Sequence, residues 1–101
     1  MTAASAAQLA ATRMVQEVIY QRRSLGAVMD DALETLGERD RSLAAQLCYG
    51  TLRWYLRFLA VLRLMLDTPL RRRDSDVESL LLLGLFELES LIVSFKLLEA
   101  T

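Results

Sequence analysis

Histidine is absent from this 101-residue chain, and cysteine, proline and lysine each occur once. Without an imidazole there is no His-based metal site and no catalytic triad whose base is histidine. The solitary thiol, Cys48, forms no internal disulfide and fits a reducing cytosol. With no base to activate it, a buried structural cysteine is the expected reading. Glycine is scarce, at four residues, and no glycine-rich phosphate loop or nucleotide fingerprint is present. The acid pairs Asp30 with Asp31 and Glu87 with Glu89 diverge on a helix, so they do not form a general acid/base pair. Strand signals are also missing, because apolar and polar residues do not alternate. The stretch from Met1 to Leu9 lacks the basic start and continuous apolar run of a signal peptide. Leu80 to Leu98 is long enough for a membrane span but carries Glu87, Glu89 and Lys96. Each charge costs about 2.5–3.5 kcal/mol at mid-bilayer, so a helix of a soluble protein is expected and no membrane partner. What remains excludes a multi-domain enzyme and allows one domain. No catalytic residue, no metal ligand set and no cofactor site is expected in it.

Charge is present in quantity but hidden in the total. Twelve basic and thirteen acidic residues sum to a formal −1. By position, residues 1–40 carry −2, residues 41–73 carry +6 and residues 74–101 carry −5. Eleven of the twelve basic residues are arginine, whose planar fork binds phosphate bidentately and stacks on bases. The basic middle therefore points to an anionic partner, nucleic acid first. The plainer alternative is a solvated face, or internal pairing with the acidic end.

The apolar periodicity is helical throughout. Ala7, Ala10, Ala11, Met14 and Val18 recur at three- and four-residue steps, and Ser24 is placed to cap a second helix carrying Leu25, Val28, Met29, Leu33 and Leu36. Asp40 is expected to cap a third helix running from Arg41 towards Leu66, with a break near Gly50 to Trp54. Asp67-Thr68-Pro69-Leu70 is a stop, and Arg71-Arg72-Arg73 forms a basic loop before a last helix. That helix is apolar nearly all round, which places it at the centre of a bundle, with Gly84 as a close-packing position. Trp54 and Phe58 are expected as core anchors. The class is all-α.

Gln46, Tyr49, Arg53 and Arg57 share one helical stripe. An aromatic beside two guanidiniums suits a phosphate backbone with a stacked base. Arg41 and the Arg71–Arg73 loop extend this surface. The same spacing is also that of an ordinary exposed stripe with Tyr49 half buried.

The blocks Glu38-Arg39-Asp40-Arg41-Ser42-Leu43-Ala44, Leu47-Cys48-Tyr49-Gly50-Thr51-Leu52-Arg53-Trp54, Asp67-Thr68-Pro69-Leu70 and Val77 to Leu88 resemble, in order and spacing, one family. It is that of the bacterial small-subunit ribosomal RNA cytosine-5 methyltransferases (RsmB, also Sun or Fmu), in their N-terminal domain. The likeness covers about residues 6–89. It implies the fold of the antitermination factor NusB, an all-α RNA-binding bundle, and an RNA-binding appendage that helps to position 16S rRNA. A separate catalytic domain of the parent enzyme would supply S-adenosylmethionine binding and two catalytic cysteines, neither of them Cys48. The partners implied are ribosomal RNA and that catalytic domain, in the cytoplasm, and the RNA-contact set expected is Arg41, Tyr49, Arg53, Arg57, Arg71, Arg72 and Arg73. The alternative is a non-catalytic adaptor or dimerisation module like NusB itself, its arginines facing an acidic protein.

After Glu89 the pattern departs from the family, which continues through a Pro-containing turn and a His to one more amphipathic helix. Here the chain reads Ser90 to Thr101. A single domain over 1–101 with a truncated end, lacking the closing helix and the methyltransferase domain, is therefore expected. Such a bundle leaves an apolar face open to self-association or helix swapping.

Overall fold

A computed structural model describes residues 5–100; the outermost positions of the expected domain, 1–4 and 101, lie outside the described residues. The chain enters α1 (Ala6–Ile19) through a capping box: the Ser5 hydroxyl accepts from the Gln8 amide at 3.1 Å, and Gln8 Oε1 accepts from the Ser5 amide at 2.9 Å. The Ser24 hydroxyl accepts from the Ala27 amide and starts α2 (Leu25–Leu33). Next come α3 (Glu38–Arg53) and α4 (Tyr55–Met65), then a single 3-10 turn at Arg72–Asp74 and α5 (Ser75–Ala100). No strand occurs among the described residues, and the all-α expectation holds. The expected break between two helices falls on Trp54, whose φ of −113° and ψ of 23° end α3 and begin α4. Leu66, in extended conformation, closes α4 just ahead of the Asp67–Leu70 stop. The third helix starts earlier than expected. Gly37 rather than Asp40 is its N-cap, which puts Glu38 and Asp40 in the first turn, where carboxylates face the positive end of the helix dipole.

The hub is α1. It packs on α2, α3 and α5 through Ala7, Ala11, Met14 and Val15, all fully buried and all on one stripe. Opposite them lie Ala44, Leu47 and Cys48 of α3, Val28 of α2 and Leu83 of α5. Alanines on both sides of the seam let the helix backbones come close. Two glutamines on α1 fix its register with α5: Gln8 Nε2 donates to Glu87 at 3.0 Å, and Gln16 Nε2 donates to the Ser75 hydroxyl at 3.0 Å. The pairing of Gln8 with the later residue makes the two helices antiparallel. A second cluster joins Phe58, Leu59 and Leu62 of α4 to Leu82 of α5. Phe86 borders both clusters and meets Phe58 edge to face, with centroids 6.3 Å apart. The two fully buried polar residues, Thr51 and Ser79, each donate a hydroxyl to the carbonyl four residues earlier at 2.7 Å.

Three expectations are corrected here. The last helix does not run through the centre. It buries only Ser79, Leu82 and Leu83, a three- and four-residue stripe, while Leu88, Leu91, Ile92, Val93, Phe95 and Leu97 are exposed. Trp54 is half exposed, and Phe58 alone of the expected pair is a core anchor. The close-packing glycine is Gly50, not Gly84. A Cβ at Gly50 would overlap the far edge of the Phe86 ring, whereas one at Gly84 meets open space. The radius of gyration, 14.2 Å, slightly exceeds the roughly 13 Å usual for 100 residues, as befits a last helix whose C-terminal part is fully exposed. No described helix is long and apolar enough to cross a membrane.

The two glycines should therefore respond oppositely to the same substitution. Gly50→Ala must displace a ring wedged between two clusters, at a cost of about 1–3 kcal/mol. Gly84→Ala should raise stability by about 0.5–1 kcal/mol through helix propensity. Chemical denaturation of both variants checks the pair, and equal effects would contradict the packing described.

Candidate nucleic-acid interface

The corner between α3 and α4 exposes an aromatic ring framed by cations. Residue 54 carries a non-helical backbone between two helices, so its side chain leaves the core stripe shared by Leu47, Thr51 and Phe58. The indole is 43% exposed. The Arg53 guanidinium carbon lies 5.4 Å from its centroid and that of Arg57 4.9 Å, within the range of a cation–π contact worth about 0.5–1 kcal/mol at an exposed site. Tyr49, one helical turn before Arg53, is 54% exposed. Leu52, Tyr55 and Leu56 complete a cavity of about 360 Å³ around these groups. A flat, half-exposed ring with two guanidiniums close by can stack a planar base and neutralise its phosphate.

The remaining members of the expected set are not all equally free. Arg57 ion-pairs with Glu89 of α5 and also lies 5.3 Å from the Phe58 ring. This exposed pair is worth no more than about 1 kcal/mol, so it orients the guanidinium without locking it. Arg41 is tied to the end of α2: Nε donates to the carbonyls of Leu33 and Leu36 at 2.8 and 2.9 Å, and Nη2 to that of Glu34 at 3.1 Å. It thus adds a bond to the last carbonyl of α2, which also accepts from the Leu36 amide, and holds the Glu34 and Leu36 carbonyls just beyond the helix. Gln46 is exposed and lies apart from the corner, on a groove shared with Phe86 and Glu87. The expected basic loop is partly wound into the 3-10 turn, closed by the Asp74 amide donating to the Arg71 carbonyl at 2.9 Å. All three of its arginines are exposed, and Arg71 and Arg72 line a second cavity together with Arg22 and Arg63.

Three residues escaped the sequence reading. Helical spacing places Trp54 in the core, although arginines at its −1 and +3 positions are a visible sign of a stacked surface. Arg22 sits far from the loop in sequence and Arg63 lies on the preceding helix, and the fold brings both to the loop. Cys48 is fully buried, and burial pushes its thiol up to about 11, which removes it as a nucleophile at neutral pH. No group of three or more metal-ligating side chains gathers among the described residues.

The sequence model of the NusB family matches residues 5–95. The chain belongs to the NusB family. Over 81 residues it is 37% identical to the ribosomal RNA small subunit methyltransferase B of Pseudomonas putida, a match that covers 80% of this chain and 19% of that protein. It is 37% identical over 87 residues to the protein of the same name from Xanthomonas campestris, covering 85% and 20%. The probable ribosomal RNA small subunit methyltransferase B of Coxiella burnetii is 35% identical over 78 residues, covering 77% and 17%. The chain thus spans about one fifth of the length of the curated relatives it matches. No solved structure matches it.

The buried thiol makes a measurable prediction. Its folded pKa lies above the ordinary 9.0, so the associated stability is full below that pH and is lost as pH rises through about 11. Cys48 should resist an aromatic disulfide reagent at neutral pH until denaturant is added. Cys48→Ala should lack the loss that the parent chain shows across this window. Rapid labelling of the folded chain would refute the assignment.

Proposed function

We propose that this chain is the RNA-binding module of a small-subunit ribosomal RNA cytosine-5 methyltransferase, and that it helps to hold 16S rRNA for a catalytic domain that binds S-adenosylmethionine. The observation that carries the reading is the exposed Trp54 ring framed by Arg53 and Arg57, with Tyr49 one turn away. Base stacking on such a ring contributes about 1–3 kcal/mol. The arginines supply charge in a segment, residues 41–73, whose net is +6. Membership of the NusB family and the names of the relatives support the same reading. A cytoplasmic location accords with a ribosomal RNA substrate.

Binding of a labelled small-subunit rRNA fragment at several salt concentrations tests it. Log affinity should fall with log salt, by about 0.7 per neutralised phosphate on a single strand. Trp54→Ala should weaken binding by about 1–3 kcal/mol, and Arg53→Ala together with Arg57→Ala should flatten the salt dependence. Binding no tighter than to mixed tRNA, or affinity indifferent to these changes, would defeat the reading.

One observation favours a second role beside it. The stretch of α5 from Leu88 to Leu97 is exposed all round from residue 91 and carries Leu91, Ile92, Val93 and Phe95, more apolar surface than scattered single residues explain. In the proposed enzyme this stretch meets another protein surface, the catalytic domain or a second copy. The isolated chain should accordingly sediment as a concentration-dependent mixture, and Leu91→Glu should return it to monomer. A clean monomer at high micromolar concentration would count against self-association.

A further inference from the structure

Arg22 and Arg23 are neighbours in very different circumstances. Arg23 is satisfied: its guanidinium pairs with Glu17 at 2.9 Å and Asp31 at 2.6 Å, and its amide donates to the Glu17 carbonyl at 3.1 Å. Arg22 makes no ion pair with a described carboxylate and holds a φ of 54°. It is the sole non-glycine residue in left-handed backbone among the described residues. Glycine adopts that conformation without penalty and arginine does not. Strain of this kind, kept at a residue with an unspent charge, is a mark of use.

The Arg22 side chain lines a cavity of about 380 Å³. Arg63 comes to it from α4, and Arg71 and Arg72 from the turn before α5. None of these four guanidiniums is ion-paired among the described residues, and Glu78 is the one acid in the lining. Tyr20 forms part of the same wall, and its hydroxyl is shut off from solvent with no hydrogen-bond partner. The floor is the first turn of α5, whose Ser75 hydroxyl is pinned by Gln16 of α1; the positive end of a 26-residue helix therefore opens on the cavity. Two stretches distant in sequence, 19–22 and 63–78, thus converge on one concave, cationic site.

We propose that this cavity binds a backbone phosphodiester of single-stranded RNA, with Arg22 and Arg63 as contacts alongside Arg71 and Arg72. The inference rests on the RNA reading above and adds a second contact point to it. Arg63 follows Trp54 by nine positions, about 14 Å along α4 and about half a turn around it. The two points therefore hold different nucleotides, and substitutions at them should act independently.

The test uses the 101-residue chain and the labelled single-stranded rRNA fragment, with Arg39→Ala as a surface arginine outside both sites. Arg22→Gly relieves the backbone, so its Tm should be equal to or above that of the parent while RNA affinity falls at least about fivefold and the salt slope shrinks by about 0.7. Adding Arg63→Ala should shrink the slope by about 1.4 in all. The losses should multiply with that of Trp54→Ala, and pyrophosphate should compete for the parent chain. Parent-like affinity and slope in Arg22→Gly/Arg63→Ala, with Trp54→Ala still impaired, would overturn the cavity and leave the RNA reading standing. If the parent chain binds no RNA, the RNA reading fails and pyrophosphate alone decides. A Tm rise in the parent that the double variant lacks would retain the cavity as a phosphate site for free anions, and no rise would end it.

Discussion

The ring of Phe86 lies on the one turn of α3 that has no side chain to offer, at Gly50. From there it touches both hydrophobic clusters, the α1-centred one and the smaller one around Phe58 and Leu62. Two clusters in a bundle this small are each too modest to fix a helix alone, and a shared aromatic makes them a single core. The angle at which α4 leaves α3 follows from that join. Gly50 is one turn before Trp54, and Phe58 one turn after it, so the geometry of the exposed corner is set by the same ring that closes the interior.

The charged surface shows why an overall balance near zero conceals so much. The basic segment and the acidic end meet in one ion pair among the described residues, Arg57 with Glu89. Internal cancellation therefore accounts for little of the +6. The other arginines divide by task. Arg23 and Arg41 hold the ends of helices together, whereas Arg53, Arg63, Arg71 and Arg72 have no carboxylate partner. Arginine composition alone does not separate these roles; only the position of nearby carbonyls and carboxylates does.

Local rules carried the sequence reading a long way where a signal is local. Ser24, the Asp67–Leu70 stop and the break near Trp54 were legible because caps, proline and glycine act on their own neighbours. The side on which a helix packs was not. In α5 leucines occupy nearly every angle, so periodicity carries no preferred face, and tertiary contacts chose the stripe of Ser79, Leu82 and Leu83. The same held for glycine: Gly50 and Gly84 are alike in sequence, and only the arrival of Phe86 distinguishes them. Part of the exposed aromatic and cationic corner was readable, as the Tyr49, Arg53, Arg57 spacing. Arg22 was not, because its unusual backbone belongs to a residue type that gives no hint of it.

Gln8 occupies an unusual place between local and global order. Its carbonyl oxygen closes the capping box on Ser5 while its amide nitrogen reaches Glu87, far along the chain. One side-chain rotamer serves both bonds. The start of α1 therefore does not behave as a free helix end that frays by itself: loosening it also loosens the grip on α5, and docking of α5 in turn favours the first turn of α1. Initiation of the hub helix and closure of the bundle are coupled through a single amide group, so the two ends of the sequence order cooperatively.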